Sequence, residues 1–281
     1  MKVLVTGSSG LPGKEVLHLL ENRGIPCLGV NTDSIDLTDS EAVRRCAEDY
    51  APDAIVHCGG YTSADRAESL PEKCAAVNGF GTLTVARAAV SVGAKLLYLS
   101  SAQVFPGTGE DPFNVSAPYS PKNVYGMSKV QAEDAVRSLM TRYFIVRSDW
   151  FYGTGEKEYI RPLLQAAKEN KALRVAGDQV GSPTWAADLA RVLCDLIETE
   201  YYGIWHARNE GFCSRAEFAE MVMKKTGTNC RIVPVPISEL TDLSRQPLNL
   251  RLAADLPARI SPMPSVEDAL DRCLREMDLF I

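Results

Sequence analysis

Tyr125 and Lys129 stand four residues apart in NVYGMSK, residues 123–129. A phenol has an ordinary pKa of about 10, so alone it is a poor acid or base at neutral pH. A lysine one helical turn along can stabilise the phenolate and make the proton transferable. Ser120 is a good N-cap and Pro121 suits a first helical position, so a helix is expected over 121–138 with both side chains on one face. Ser101 ends the apolar run KLLYLSS, 95–101, and offers a hydroxyl to the same carbonyl. Together the three supply a proton donor, its electrostatic partner and a carbonyl anchor. On their own they are also compatible with ordinary helix packing, so the surrounding sequence has to decide.

A dinucleotide site is the first requirement for carbonyl reduction. GSSGLPG places Gly7, Gly10 and Gly13 directly after the buried run KVLVTG. A glycine turn between strand and helix lets backbone N–H groups approach a pyrophosphate at the positive end of the helix dipole. The spacing is GxxGxxG rather than GxGxxG, and the glycines could equally mark a plain turn; their position after a first strand favours nucleotide binding. Asp33 and Asp36 in VNTDSIDL follow the second strand and suit an adenosine ribose. No Lys or Arg is there to pair with a 2′-phosphate, although Asn31, Thr32 and Ser34 could hydrogen-bond one. The balance leans to NADH and leaves NADPH open.

The elements that must position these residues recur in order. Apolar runs at 2–7, 26–30, 53–59, 95–101 and 143–148 alternate with helical stripes. One stripe carries Val16, Leu17, Leu19 and Leu20 and ends at Gly24; others lie near 39–50, 71–92 and 121–138. This alternation specifies an α/β fold, a Rossmann-like doubly wound parallel sheet, with ligands beyond the carboxyl ends of its strands. Gly7, CGGYT (58–62) with Gly59 and Gly60, and SSAQVF (100–105) put small residues at three such ends. After about residue 150 the rhythm loosens into Pro- and Gly-rich stretches, with helices near 157–170, 184–199 and 214–226. The expected division is a dinucleotide-binding part, 1–150, and a smaller C-terminal α/β substrate lobe, 151–281, with the chain passing between them.

Bulk properties narrow the partners. The 281 residues are 46% hydrophobic and 23% charged, with a net charge of −6. No basic run is present, so nucleic acid is not expected. No stretch is long enough for a membrane span or has the form of a signal peptide. Eight cysteines without a CxxC pair read as reduced thiols of a cytoplasmic protein. Three histidines, His18, His57 and His206, lack metal-ligand spacing, so no zinc site is expected.

Taken in order, VTGSSGLPGKE, DLTDSEAV, PDAIVHCGGYTSADRAES, VFPGTG, NVYGMSK, VRSDWFYG, DQVGSPTWAADLA and RQPLNL span essentially the whole chain. The set resembles the dTDP-4-dehydrorhamnose reductase family of extended short-chain dehydrogenases/reductases. The resemblance implies NADPH- or NADH-dependent reduction of the C4 ketone of a nucleotide-activated 6-deoxy-4-keto sugar. It makes Tyr125 the acid, has Lys129 lower the Tyr125 pKa and hold the nicotinamide ribose, and has Ser101 polarise the carbonyl. It assigns Gly10, Leu11 and Pro12 to the phosphate loop and Asp36 and Leu37 to the adenosine pocket. Gly59, Gly60 and Thr62 then fall to the middle of the cofactor, and Val104, Trp150 and Arg245 to the substrate. Glu15 matches a residue that helps bind magnesium at a dimer contact in some members. A lone surface glutamate is usually just solvated, so no metal is expected; a homodimer is possible and the number of associated chains stays open.

Two departures bear on the substrate. The family usually reads STDYVF where this chain has SSAQVF, so Ala102 and Gln103 replace an acid and an aromatic. That serine strand also resembles nucleotide-sugar epimerases. A 4,6-dehydratase would want an Asp-Glu pair at 102–103. A third alternative is a non-catalytic NAD(P)-binding subunit, like the relative that serves methionine adenosyltransferase. Ser101, Tyr125 and Lys129 together argue against it, since binding alone does not need all three.

Overall fold

The computed structural model describes residues 1–240 and 246–280. The first half of the chain alternates β1 (Val3–Thr6), α1 (Leu11–Asn22), β2 (Cys27–Val30), α2 (Ser40–Tyr50) and β3 (Ala54–His57). α3 (Ala64–Ser69), α4 (Pro71–Ala75), a π turn (Ala76–Phe80) and α5 (Gly81–Val92) follow. β4 (Lys95–Ser100), a 3₁₀ turn (Ala102–Val104), α6 (Val124–Leu139) and β5 (Tyr143–Arg147) come next. The second half begins with β6 (Phe151–Tyr152), α7 (Ile160–Glu169), β7 (Ala172–Ala176), β8 (Val180–Gly181) and β9 (Thr184–Trp185). It continues through α8 (Ala186–Ile197), β10 (Gly203–His206), β11 (Cys213–Ser214), α9 (Arg215–Lys225), β12 (Arg231–Val235) and α10 (Val266–Glu276).

Six strands form one parallel sheet in the order β10-β5-β4-β3-β1-β2. This is the expected doubly wound α/β architecture. Successive strand residues face opposite sides, which divides the core into two layers. Val5, Val56, Leu97 and Val146 meet Val16 and Leu20 of α1 and Leu189 and Leu193 of α8 on one face. Leu4, Ile55, Leu96 and Ile145 meet Val43, Val85, Ala132 and Val136 on the other. Full burial of one such large aliphatic side chain stabilises by roughly 1.5–3 kcal/mol. A third core, holding Ile160, Leu164, Phe218, Val222, Leu270 and Leu274, lies in the C-terminal half. Small two-stranded pairings there, β7 with β12 and β8 with β11, replace a second large sheet.

Two local expectations need correction, and one strand was not anticipated. The helix expected over 71–92 is interrupted by the π turn, which widens the helix and carries Asn78, 2% exposed, into hydrogen bonds with Tyr61 and Ser128. The helix expected from Pro121 starts at Val124. Asn123 caps it by accepting from Gly126 N–H at 2.7 Å, and Glu68 Oε1 takes the Val124 N–H at 2.8 Å. Ser120 instead donates its N–H to Val104 O at 3.1 Å, which ties the preceding segment to the 3₁₀ turn. Finally, β10 joins the main sheet beside β5 from the second half of the chain. GIWH is too short and too mixed to announce a strand without its neighbour.

Candidate active site

The strand order reverses between β1 and β3, because the chain leaves β1 for β2 on one side and later returns to β3 on the other. A crevice at that switch point is where a nucleotide is expected. Gly7 has φ +69°, and a Cβ added to it would lie 2.5 Å from Gly59 N. A Cβ on Gly13 would lie 2.2 Å from Gly7 O, so the first turn of α1 packs directly on the loop. Gly10 caps α1, its N–H bonding Gly7 O at 3.0 Å, and Pro12 sits in the first turn. The turn therefore leaves backbone N–H groups, rather than side chains, at the helix N-terminus, which fits a dinucleotide pyrophosphate. Leu11 packs on Gly153 just beyond β6.

Around the turn, Leu37 is buried against Gly59 and Gly81, and its carbonyl accepts the Thr84 hydroxyl at 2.6 Å. Asp36 is exposed and accepts both the N–H and the hydroxyl of Thr38 at 2.8 Å, which hold its carboxyl below the ordinary range. Gly60 approaches Asn78 so closely that a Cβ would meet its Oδ1 at 2.7 Å. Asn78 clamps the Gly60–Thr62 segment by accepting from Tyr61 N–H at 2.7 Å and donating to Tyr61 O at 3.1 Å. Thr62 is exposed at its end.

Ser101, Tyr125 and Lys129 do converge. Ser101 follows β4, is 1% exposed, and lies close enough to the Tyr125 phenol to act on its pKa. Lys129 Nζ lies 5.9 Å from the Tyr125 ring centre and 4.5 Å from that of Tyr98, and donates to Leu99 O at 2.8 Å. Burial pushes the lysine pKa down to about 8, with Glu133 and Asp149 pulling the other way. The Tyr125 pKa is raised, not lowered. Burial is the main cause and the Asp149 charge the second, while the Ser101 hydrogen bond opposes them. Lys129 thus supplies a nearby charge without by itself making the phenol a neutral-pH acid. Tyr125 keeps some exposed surface at the crevice, which moderates the upward push.

Asp149 was not anticipated from the sequence. It follows β5, accepts the Ser101 hydroxyl at 3.0 Å and 3.1 Å, and takes the Ala102 N–H on Oδ2 at 2.7 Å. Burial pushes its carboxyl up to about 6 against hydrogen bonds from Ser101 and Ala102. The available signal was an acidic residue at a strand's carboxyl end, directly beside the tryptophan already singled out. Behind the site, Glu133 pairs with Arg147 at 2.7 Å, both almost fully buried, and accepts Ser100 and Tyr119 hydroxyls at 2.6 Å. His57 is fully buried between Thr6 and Thr82, and burial followed by the Lys129 charge pushes it down to about 3. It is a neutral brace.

The far wall belongs to the second half of the chain. Trp150 has φ +53°, packs on Gly181 and lies beneath Arg215, whose guanidinium is 4.2 Å from a Trp150 ring. Tyr152, Tyr159, Pro183 and Phe218 line a cavity beside them. Val104, expected at the substrate, has no exposed surface and packs with Phe105, Leu250 and Leu252, so its side chain serves the core. Arg245 lies outside the described residues. Glu15 is half-buried, with Glu276 and His18 as neighbours. Among the described residues no group of three or more His, Cys, Asp or Glu could hold a metal ion.

The family model described as the RmlD substrate binding domain matches residues 1–279. The chain belongs to that family. A spore coat polysaccharide biosynthesis protein, SpsK, of Bacillus subtilis is 33% identical over 246 residues, 88% of this chain and 87% of that protein. A dTDP-4-dehydrorhamnose reductase of Streptomyces griseus is 39% identical over 74% of this chain and 70% of its own. Among solved structures, a dTDP-4-dehydrorhamnose reductase of Bacillus anthracis in complex with NADP is 31% identical. It superposes with a TM-score of 0.94 over 98% of this chain and 99% of that one. A reductase of the same name from Clostridium acetobutylicum gives 0.95 at 28% identity, covering 99% and 100%. The match to the RmlD family thus spans residues 1–279, which include the glycine turn and Ser101, Tyr125 and Lys129.

Proposed function

We propose that this protein reduces the C4 ketone of a nucleotide-activated 6-deoxy-4-keto sugar with NADPH or NADH, as a dTDP-4-dehydrorhamnose reductase of dTDP-rhamnose biosynthesis. The observation that carries this reading is the placement of Ser101 at the end of β4 beside Tyr125 and Lys129 of α6, at the edge of the sheet that holds the glycine turn. Residues 1–150 would bind the dinucleotide and 151–281 mainly the sugar nucleotide. The free state of all eight cysteines supports a cytoplasmic setting.

The residues present fit the cofactor. Gly7, Gly10 and Gly13 would cradle the pyrophosphate with Leu11 and Pro12 beside it, Asp36 and Leu37 would border the adenosine, and Gly59, Gly60 and Thr62 the middle. When bound, the reduced nicotinamide supplies a hydride. Tyr125 gives the ketone oxygen its proton, Lys129 holds positive charge near the resulting phenolate, and Ser101 anchors the oxygen. Trp150 and Arg215 form the wall against which the sugar nucleotide rests.

The test is a panel of nucleotide-activated keto sugars with each reduced cofactor, followed by nicotinamide absorbance and product analysis. One cofactor oxidised per ketone reduced is the expected result. Epimerisation without net cofactor consumption would reject the reading, as would cofactor binding with no turnover of any keto sugar.

A further inference from the structure

Ser101 has one hydroxyl proton and two lone pairs. Its oxygen lies 3.0 Å and 3.1 Å from the two Asp149 oxygens and accepts the Gln103 N–H at 3.1 Å, with the Tyr125 phenol beside it. The Gln103 amide can only donate, and an ionised carboxylate can only accept. With Asp149 ionised, the serine proton therefore goes to Asp149. Ser101 then has no hydrogen for a ketone, and a phenolate formed at Tyr125 would face a lone pair. A protonated Asp149 reverses the chain, because its O–H donates into Ser101 and turns the serine hydrogen toward Tyr125 and the ketone.

We propose that Asp149 is a positioning residue acting through Ser101, and that its proton sets the direction of the Ser101 hydroxyl and so lets Tyr125 complete proton transfer. This rests on the reductase reading. The balance closes: the carbonyl carbon takes the hydride supplied by NAD(P)H, which is oxidised to NAD(P)⁺, and the oxygen takes the Tyr125 proton. Water then returns a proton to the phenolate, which keeps part of its surface in the crevice, while Ser101 and Asp149 keep their own protons. One ketone, one hydride and one proton give one alcohol.

Two features support the assignment. The Asp149 carboxylate sits on the N–H of Ala102, the position where the resemblance leads one to expect an acid and this chain has none. The carboxyl is also placed to titrate in the working range. The groups bearing on it are Tyr125 and Lys129 from α6, Arg215 from the start of α9, and Ser101 and Ala102 N–H after β4. Burial raises its pKa to about 6 against the Arg215 and Lys129 charges, while Lys129 itself titrates near about 8. Asp149 therefore changes state while the lysine stays charged.

The test is the pH dependence of kcat at saturating keto sugar and reduced cofactor. The native protein is expected to lose about tenfold per pH unit above about 6. Asp149→Asn should remain flat until Lys129 deprotonates, since its amide N–H₂ donates permanently to Ser101 while its oxygen keeps the Ala102 N–H. A decline starting near 6 that survives in Asp149→Asn overturns the proposal. A second arm needs no turnover: ¹³C carboxyl NMR of the full chain, with the Asp149 resonance assigned by its loss in Asp149→Asn. The Asp149 midpoint should rise in Ser101→Ala, which removes a hydrogen bond to the carboxylate, and a midpoint that does not move also overturns it. A protein that shows this coupling but reduces no keto sugar would uphold the Asp149–Ser101 linkage and reject the reductase reading alone.

Discussion

Asn78 donates to Ser128 Oγ at 2.9 Å and so joins the π turn to the helix that carries Tyr125 and Lys129. The same amide holds the N–H and carbonyl of Tyr61. One side chain thus fixes the spacing between the cofactor loop after β3 and the acid–base pair. Asn78→Ala would strand those groups, at about 1–3 kcal/mol for each buried partner left unpaired. The expected result is a lower melting temperature by calorimetry and weaker NADPH binding by fluorescence titration. A variant with native melting and native affinity would show that the clamp is dispensable.

Tyr125→Phe deletes the transferable proton and leaves the ring in place. The turnover of keto sugar is expected to fall about 10²-fold or more, while the cofactor dissociation constant stays near that of the parent. Stopped-flow measurement of cofactor oxidation separates the two effects. Turnover at the parental rate would remove Tyr125 from the acid's role.

The sequence made the sheet legible because runs such as KVLVTG and DAIVHCG are mainly apolar on both faces, and the helices between them carry matching stripes. It made the glycine turn and the Tyr125–Lys129 pair legible because their chemistry depends on local spacing. Asp149, Asn78 and Arg215 were not legible, since their roles depend on which strand ends and helix starts become neighbours in space. The core packing of the Val104 side chain was hidden for a related reason: a position in a motif does not say which way its side chain points. The start of α6 was misplaced because Ser120 and Pro121 have good helix-starting chemistry, but tertiary bonds to Val104 and the close packing of Gly126 on Gln103 O delay the helix to Val124.

Asp149 should also affect stability with a definite sign. Its folded pKa is raised from the ordinary 3.8 to about 6, so the folded state holds its proton more tightly than the unfolded chain. The resulting cost is absent below about 3.8, grows between 3.8 and 6, and is fully present above 6. Each pKa unit corresponds to about 1.4 kcal/mol, and the carboxyl's partial exposure reduces the total to about 1–2 kcal/mol. Asp149→Asn should therefore melt higher than the parent at pH 8, and the gain should vanish near pH 4. A stabilisation of equal size at both pH values would point to packing rather than ionisation.

Glu133 has the opposite sign. Burial alone would raise its carboxyl, but Arg147 with Ser100 and Tyr119 holds it below the ordinary 4.5. Its contribution to stability is thus present above 4.5 and is lost as pH falls through the lower folded value. Glu133→Gln leaves the Arg147 guanidinium buried without a counter-charge, a change that typically costs about 3–5 kcal/mol at neutral pH. Because Ser100, which donates to Glu133, adjoins Ser101, the same variant should also loosen the Ser101 hydroxyl. Urea unfolding at pH 7 and again at acid pH tests both sign and size: the gap between parent and variant should be wide at pH 7 and narrow as the parent's own carboxylate takes up its proton. A gap that stays constant across that range would mean that the Glu133 charge contributes nothing to holding Arg147 in the core.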